Sequence, residues 1–150
     1  MRNSQIANIF LELAKLLAIK GDNPFKIRAY QNAANTIKSL NRPIQELIKQ
    51  KQDLTKLPGI GKEIAKKIQE IIKTGKLKKL EILKKETPPT LEELLAIDSL
   101  GPKRVKRLYQ ELNITNLQEL KEAAQKGEIA KLKGFGLKTQ KSILQALNRK

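Results

Sequence analysis

Apolar positions recur at intervals of three and four along almost the whole chain, the spacing of one helical face. Ile6, Ile9, Phe10, Leu13 and Leu17 make the first stripe, with Ser4 placed as a cap and Gly21 as a stop. Pro24 stands where a first helical residue belongs, with Asn23 as its cap, and Ile27, Tyr30, Ala34 and Ile37 make the second stripe. Arg42-Pro43 ends it, and a short helix over 44–50 follows. No stretch alternates with period two for long enough to make a strand, so the pattern predicts an all-α fold. Thr87-Pro88-Pro89-Thr90 is the one boundary in the pattern, because adjacent prolines oppose a continuing helix and stiffen the link. Two domains are expected, 1–86 and 91–150.

Aligning the glycines brings out a repeat. LPGIGKEIAKKI occupies 57–68, IDSLGPKRVKRL 97–108 and LKGFGLKTQKSI 132–143. Each copy has an apolar residue (Leu57, Ile97, Leu132), a glycine-rich step around a second (Ile60, Leu100, Phe135), and a glycine (Gly61, Gly101, Gly136) opening a basic helix. A lysine falls at the same register each time (Lys66, Lys106, Lys141). The first and third copies carry an additional glycine, Gly59 and Gly134, where the second has Ser99. That makes the second copy the expected weak one.

Composition narrows the chemistry. The 150 residues hold 31 Lys+Arg against 15 Asp+Glu, a net charge of +16, with no Cys, His or Trp. Such a charge points to an acidic partner. Without Cys or His there is no thiolate nucleophile, no Ser-His-Asp relay and no zinc site of soft or imidazole ligands. Both expected domains are basic, and 56–85 is densest with ten lysines and three acids. Nowhere do 18 apolar residues run uninterrupted, and Glu12 and Lys15 interrupt the first stripe. Neither a spanning helix nor a secretory signal is expected. A soluble, cytoplasmic protein follows, nucleoid-associated in a bacterium and with no membrane partner.

A helix, a glycine turn and a second helix make a helix-hairpin-helix. Glycine permits positive φ and close backbone approach, and the free N–H groups of the second helix, at the positive end of its dipole, suit a phosphate. Such contacts read backbone charge and shape with little sequence preference. The DNA-backbone residues predicted in this way are Gly59, Ile60, Gly61, Lys66, Gly101, Lys103, Gly134, Gly136 and Lys138. Sparse aromatics argue against base stacking on single strands. The competing reading is a helical scaffold or an RNA-binding protein without lyase activity.

KGDNPFKIRAYQNAANTI at 20–37 and KLPGIGKEIAKKIQEIIKTGKLKKLEIL at 56–83 resemble the amino-terminal lyase-type domain of X-family DNA polymerases. IDSLGPKRVKRLYQELNITNLQELKEA at 97–123 and LKGFGLKTQKSIL at 132–144 resemble the helix-hairpin-helix region that follows it in that family. The resemblance implies a small four-helix-type domain, a second hairpin domain, and gapped, nicked or 5′-phosphorylated DNA in base excision repair as partner. Relatives continue into a palm with clustered carboxylates for two metal ions, whereas Asp22, Asp53 and Asp98 here are far apart. Nucleotidyl transfer by this chain is therefore excluded, and it is either a fragment of a longer enzyme or a stand-alone protein. No side-chain metal site is expected, and the hairpin carbonyls remain open to a monovalent cation.

By the same resemblance Lys67 is the amine that forms a Schiff base with 5′-deoxyribose phosphate. Lys26, Tyr30 and Lys79 match the 5′-phosphate pocket, and Lys62 stands ready to add a contact. An ordinary lysine, with pKa near ~10.4, is almost wholly protonated at neutral pH. Neighbouring cations such as Lys66 and Lys26, with partial burial, are what would lower it. Glu63 departs from the family, replacing a phosphate-contacting lysine four residues before Lys67. A Glu63–Lys67 pair would favour the charged amine and make Lys67 an ordinary solvated helix lysine. Both readings of Lys67 stand at this point.

Overall fold

A computed structural model describes residues 1–149. Two compact units divide the chain, one of Met1–Ala18 with Asp22–Glu86, the other running from Thr87 onward and taking in Ile19–Gly21. Every regular element among the described residues is helical. None of these helices is long and apolar enough to cross a membrane.

The first unit holds α1 (Asn3–Lys20), α2 (Pro24–Ser39), the short α3 (Ile44–Lys49), a 3-10 turn (Leu54–Lys56), α4 (Lys62–Thr74) and α5 (Lys78–Glu86). Its core is the apolar stripe of α1, with Ile6, Phe10 and Leu13 fully buried, and Ile37, Ile44, Ile68 and Ile71 closing over it. Burying each such side chain is worth about 1.5–3 kcal/mol. Phe10 stacks on Tyr30, with ring centroids 6.0 Å apart and planes 22° apart. Gly21 ends α1 in the left-handed region at φ 78°, and the Asn23 side chain accepts from Phe25 N–H at 2.8 Å to cap α2. The predicted Ser4 cap is not formed. Helix α1 already includes Asn3, whose amide instead donates to Arg42 C=O (2.8 Å) and accepts from Ile44 N–H (2.9 Å). Asn3 thus caps α3, whose own preceding residue, Pro43, offers no side-chain cap.

The second unit holds α6 (Leu91–Leu94), α7 (Pro102–Leu112), α8 (Leu117–Gln125) and α9 (Gly136–Asn148). Leu91, Leu94, Ile97, Val105, Leu108, Leu120, Ile129 and Ile143 are its buried centre, and α8 packs on α9. Asn116 caps α8 by accepting from Glu119 N–H at 2.8 Å. At the Thr87-Pro88-Pro89-Thr90 stretch α5 has ended and α6 has not begun, as the adjacent prolines require.

Candidate nucleic-acid interface

The three glycine turns share one backbone pattern. In each, two N–H groups three residues apart bond the carbonyl three residues back: Leu57 to Leu54 and Ile60 to Leu57, Ile97 to Leu94 and Leu100 to Ile97, Leu132 to Ile129 and Phe135 to Leu132, all at 2.9–3.2 Å. Ile60, Leu100 and Phe135 are buried, anchoring each turn at its apolar centre. The carbonyls of Leu57, Ile97 and Leu132 each accept one of these bonds, and their second lone pairs are what the turns offer a monovalent cation.

Side chains from a neighbouring helix fasten each turn. Thr36 Oγ1 donates to Pro58 C=O at 2.6 Å in the first, and Arg104 donates to Ser99 C=O at 2.7 Å in the second. In the third, Arg107 donates to Lys133 C=O. Arg104 and Arg107 both lie over the Phe135 ring, at 5.5 and 5.2 Å from its centroid, a cation–π arrangement. The sequence patterns did not single out Thr36, Arg104 or Arg107 as turn fasteners. The spacing of Arg104 and Arg107, three apart on a helix that follows one turn and precedes another, was the only available signal.

The turn glycines divide differently from the expectation of positive φ throughout. Gly59 (φ 75°) and Gly134 (φ 88°) occupy the left-handed region. Gly61 does not: its φ of −91° and ψ of −175° are extended, and Gly101 matches it at −99° and 179°. A Cβ on either would meet nothing within 4 Å. Gly59, by contrast, faces α2, with Asn32 Cβ 3.7 Å from where its own would stand. The odd copy is the third and not the Ser99-containing second, since α9 opens through Phe135 in a helical conformation and Gly136 at φ 70°. Ser99 avoids positive φ, yet the second turn still delivers Gly101 into the same extended cap as Gly61.

The helix starts differ in how they are capped, and the short α6 has no side-chain cap. Asparagine side chains close the starts of α2 and α8, and Asn3 closes α3. The three hairpin helices α4, α7 and α9 start with no side-chain cap. Their first-turn N–H groups therefore lack an intrahelical acceptor and are left for water or an anion. Lys62, Lys66, Lys103 and Lys138 stand exposed on those helices. Only α4 has an acid in its first turn, Glu63.

Of the predicted pocket residues Lys26, Tyr30 and Lys79 lie together, whereas the charge of Lys62 acts on Asp53. Lys79 Nζ lies 5.6 Å over the centre of the buried Tyr30 ring. Lys26 lies close enough to Lys79 for the two side chains to perturb each other. Burial first, then the proximity and charge of Lys26 and the charge of Lys67, push Lys79 down to about 8, with Asp22 opposing. The ring face taken alone favours an ammonium, so desolvation and the adjacent cations outweigh it. Lys26 moves the other way, raised chiefly by its proximity to Lys79. Burial raises the Tyr30 phenol, and Glu63 also bears on it. No ion pair joins Glu63 to Lys67 among the described residues.

Two family models match the chain: a helix-hairpin-helix domain over residues 1–77 and a SAM-like helix-hairpin-helix tandem over 91–149. The DNA polymerase/3′-5′ exonuclease PolX of Bacillus subtilis (strain 168) is 38% identical over 147 residues, 98% of this chain and 25% of that protein. DNA polymerase lambda of Rattus norvegicus is 27% identical over 137 residues, 91% of this chain and 22% of that protein. The chain thus spans about a quarter of the length of these relatives.

Proposed function

The chain belongs to the helix-hairpin-helix domain family, in the two-module form it shares with X-family DNA polymerases, and from that premise we propose that it binds the DNA phosphate backbone at gaps or 5′-phosphorylated ends during repair. The observation that carries this is the contrast in helix ends: asparagines close α2, α3 and α8, while the three helices that follow glycine turns remain uncapped. An uncapped N-terminus on a chain of net charge +16 is suited to an anion. Backbone N–H contacts of this kind set position without reading bases.

Lys26, Tyr30 and Lys79 favour a second element, a 5′-phosphate pocket with an amine capable of Schiff-base chemistry on 5′-deoxyribose phosphate. The family resemblance assigns the nucleophile's position to Lys67, which lies close enough for its charge to act on Lys79.

Fluorescence anisotropy on a gapped duplex, with and without the 5′-phosphate, and on an intact duplex tests the reading. The phosphorylated gap should bind tightest, and Lys26→Ala should remove the phosphate-dependent part. Equal affinity for all three DNAs would refute the end preference. Absence of binding to any of them would refute the proposal entirely.

A further inference from the structure

We infer that the Arg104 side chain is the positioning group of the second hairpin, doing by a clip what glycine does in the other two turns, and that phosphate binding at the open start of α7 depends on it; this rests on the backbone-binding reading above. The three turns differ at one peptide. Residues 57–60 and 132–135 are four-residue turns closed by a bond from the fourth N–H to the first C=O. Each has a glycine at positive φ in third place, Gly59 at 75° and Gly134 at 88°, after a residue that is not at positive φ. That is the type II form. Residues 97–100 close in the same way at 2.9 Å, but the third residue is Ser99, which has no positive φ. Type II is thereby excluded, and in the type I form that a serine accepts the middle peptide is turned over.

The fastening side chains follow that peptide. In the two type II turns the donor reaches the carbonyl of the second residue: Thr36 Oγ1 donates to Pro58 C=O at 2.6 Å, and Arg107 donates to Lys133 C=O. The equivalent carbonyl in the second turn is that of Asp98, and the donor reaches the next one along. Arg104 Nη1 donates to Ser99 C=O at 2.7 Å. The same guanidinium lies 5.5 Å from the centre of the buried Phe135 ring, so one flat group is held by a hydrogen bond at its edge and a ring at its face. Arg104 is half-buried, whereas Lys103 beside it is exposed and open to a phosphate.

In the first and third turns the middle peptide is fixed twice, by a glycine and by a donor, and Pro58 presets the first as well. In the second turn the Arg104 clip fixes it without a glycine. The result is the same helix start: Gly101 at φ −99° and ψ 179° sits close to the −91° and −175° of Gly61, and α7 begins uncapped like α4. Pro102 carries no N–H, so only the N–H groups of Lys103 and Arg104 precede the first bond of the helix, from Val105 N–H to Gly101 C=O at 3.0 Å. With so few donors, their aim at a phosphate depends on the turn that delivers Gly101.

Fluorescence anisotropy on a gapped duplex at several salt concentrations tests this, with circular dichroism confirming that each variant is folded at the temperature of the titration. Arg104→Lys keeps the charge and loses the flat fork. It should weaken binding by about 10-fold or more and lower the slope of log affinity against log salt by about 1, the loss of one phosphate contact. Thr36→Val, which removes the donor from the glycine-held first turn, should stay within about threefold of wild type. Ser99→Gly in the Arg104→Lys background should restore affinity to within about threefold of wild type, because glycine lets the turn take the type II form of the other two. Amide hydrogen exchange gives a readout without DNA: Leu100 N–H should exchange about 10-fold faster in Arg104→Lys while Ile60 N–H is unchanged. Arg104→Lys binding within about twofold of wild type at an unchanged salt slope would overturn the assignment and leave the backbone reading standing. A loss of binding that Ser99→Gly does not restore would overturn it as well. A folded wild type without salt-dependent affinity for the duplex would overturn both the assignment and the backbone reading.

Discussion

Converting the open start of α4 into a capped one should make the protein more stable and a poorer DNA binder. Gly61→Asp is the perturbation. The extended backbone at Gly61 suits an N-cap residue, and a Cβ there meets nothing within 4 Å. The new carboxylate can accept from a first-turn N–H. Replacing glycine by aspartate at a cap gains a few tenths of a kcal/mol, and the helix dipole adds a similar amount. The sum is about 0.5 kcal/mol, or roughly 2–4 °C in Tm for a unit of this size. The same carboxylate occupies the N–H groups proposed for phosphate and repels it. Losing one charge-assisted contact of about 1.5–3 kcal/mol weakens binding by roughly 10- to 150-fold. Calorimetry and anisotropy at one fixed salt concentration read the two effects separately. A Gly61→Asp protein that is at least as stable as wild type and binds DNA within twofold of it would refute the phosphate role of this helix start. Gly59→Val provides the opposite control: at φ 75° a side chain costs about 1–2 kcal/mol, so stability falls first.

Raising salt from about 50 to 200 mM should weaken DNA binding by three orders of magnitude or more if six phosphates are contacted, as equilibrium titrations would read; a flat salt response contradicts the backbone mode. Glu63→Lys should tighten binding to a 5′-phosphorylated gap, since it removes the only acid in the first turn of a hairpin helix, and unchanged affinity would place the phosphate elsewhere. Asn116→Ala removes the cap at Glu119 N–H and should lower thermal stability by about 1 kcal/mol without altering DNA affinity; a loss of affinity at unchanged stability contradicts a purely structural cap.

What could be read from the sequence was local. Pro24 after Asn23 specifies a helix start from adjacent residues, and Gly21 a stop, and both are realised. The hairpin register was visible because one spacing of apolar residues and glycine occurs three times. Features that join distant parts of the chain were not visible. Asn3 caps a helix 41 residues away, which leaves no trace in the local pattern and left Ser4 as the better-looking cap. The extended conformation of Gly61 and the left-handed one of Gly136 differ although both fill the same place in the repeat. The third turn is also the one whose Phe135 ring lies beneath Arg104 and Arg107. The low pKa of Lys79 depends on α2 and α5 meeting through Tyr30 and Lys26, a contact that helical periodicity does not encode.

The shared ladder of the three turns also makes them exchangeable parts. Residues 54–61, 94–101 and 129–136 are segments of equal length whose internal bonds run backbone to backbone. Their side chains need only supply three apolar plugs, Leu-Leu-Ile, Leu-Ile-Leu and Ile-Leu-Phe. A segment that carries its own backbone hydrogen bonds asks its host only for a greasy socket and one fastening side chain. Each is free to differ at the solvent side. Serine can replace glycine in one copy, and a pair of arginines can clasp another, while the plug positions stay apolar. The tandem sets one short backbone frame in three surroundings, and what differs among them is the side chain that fastens each turn.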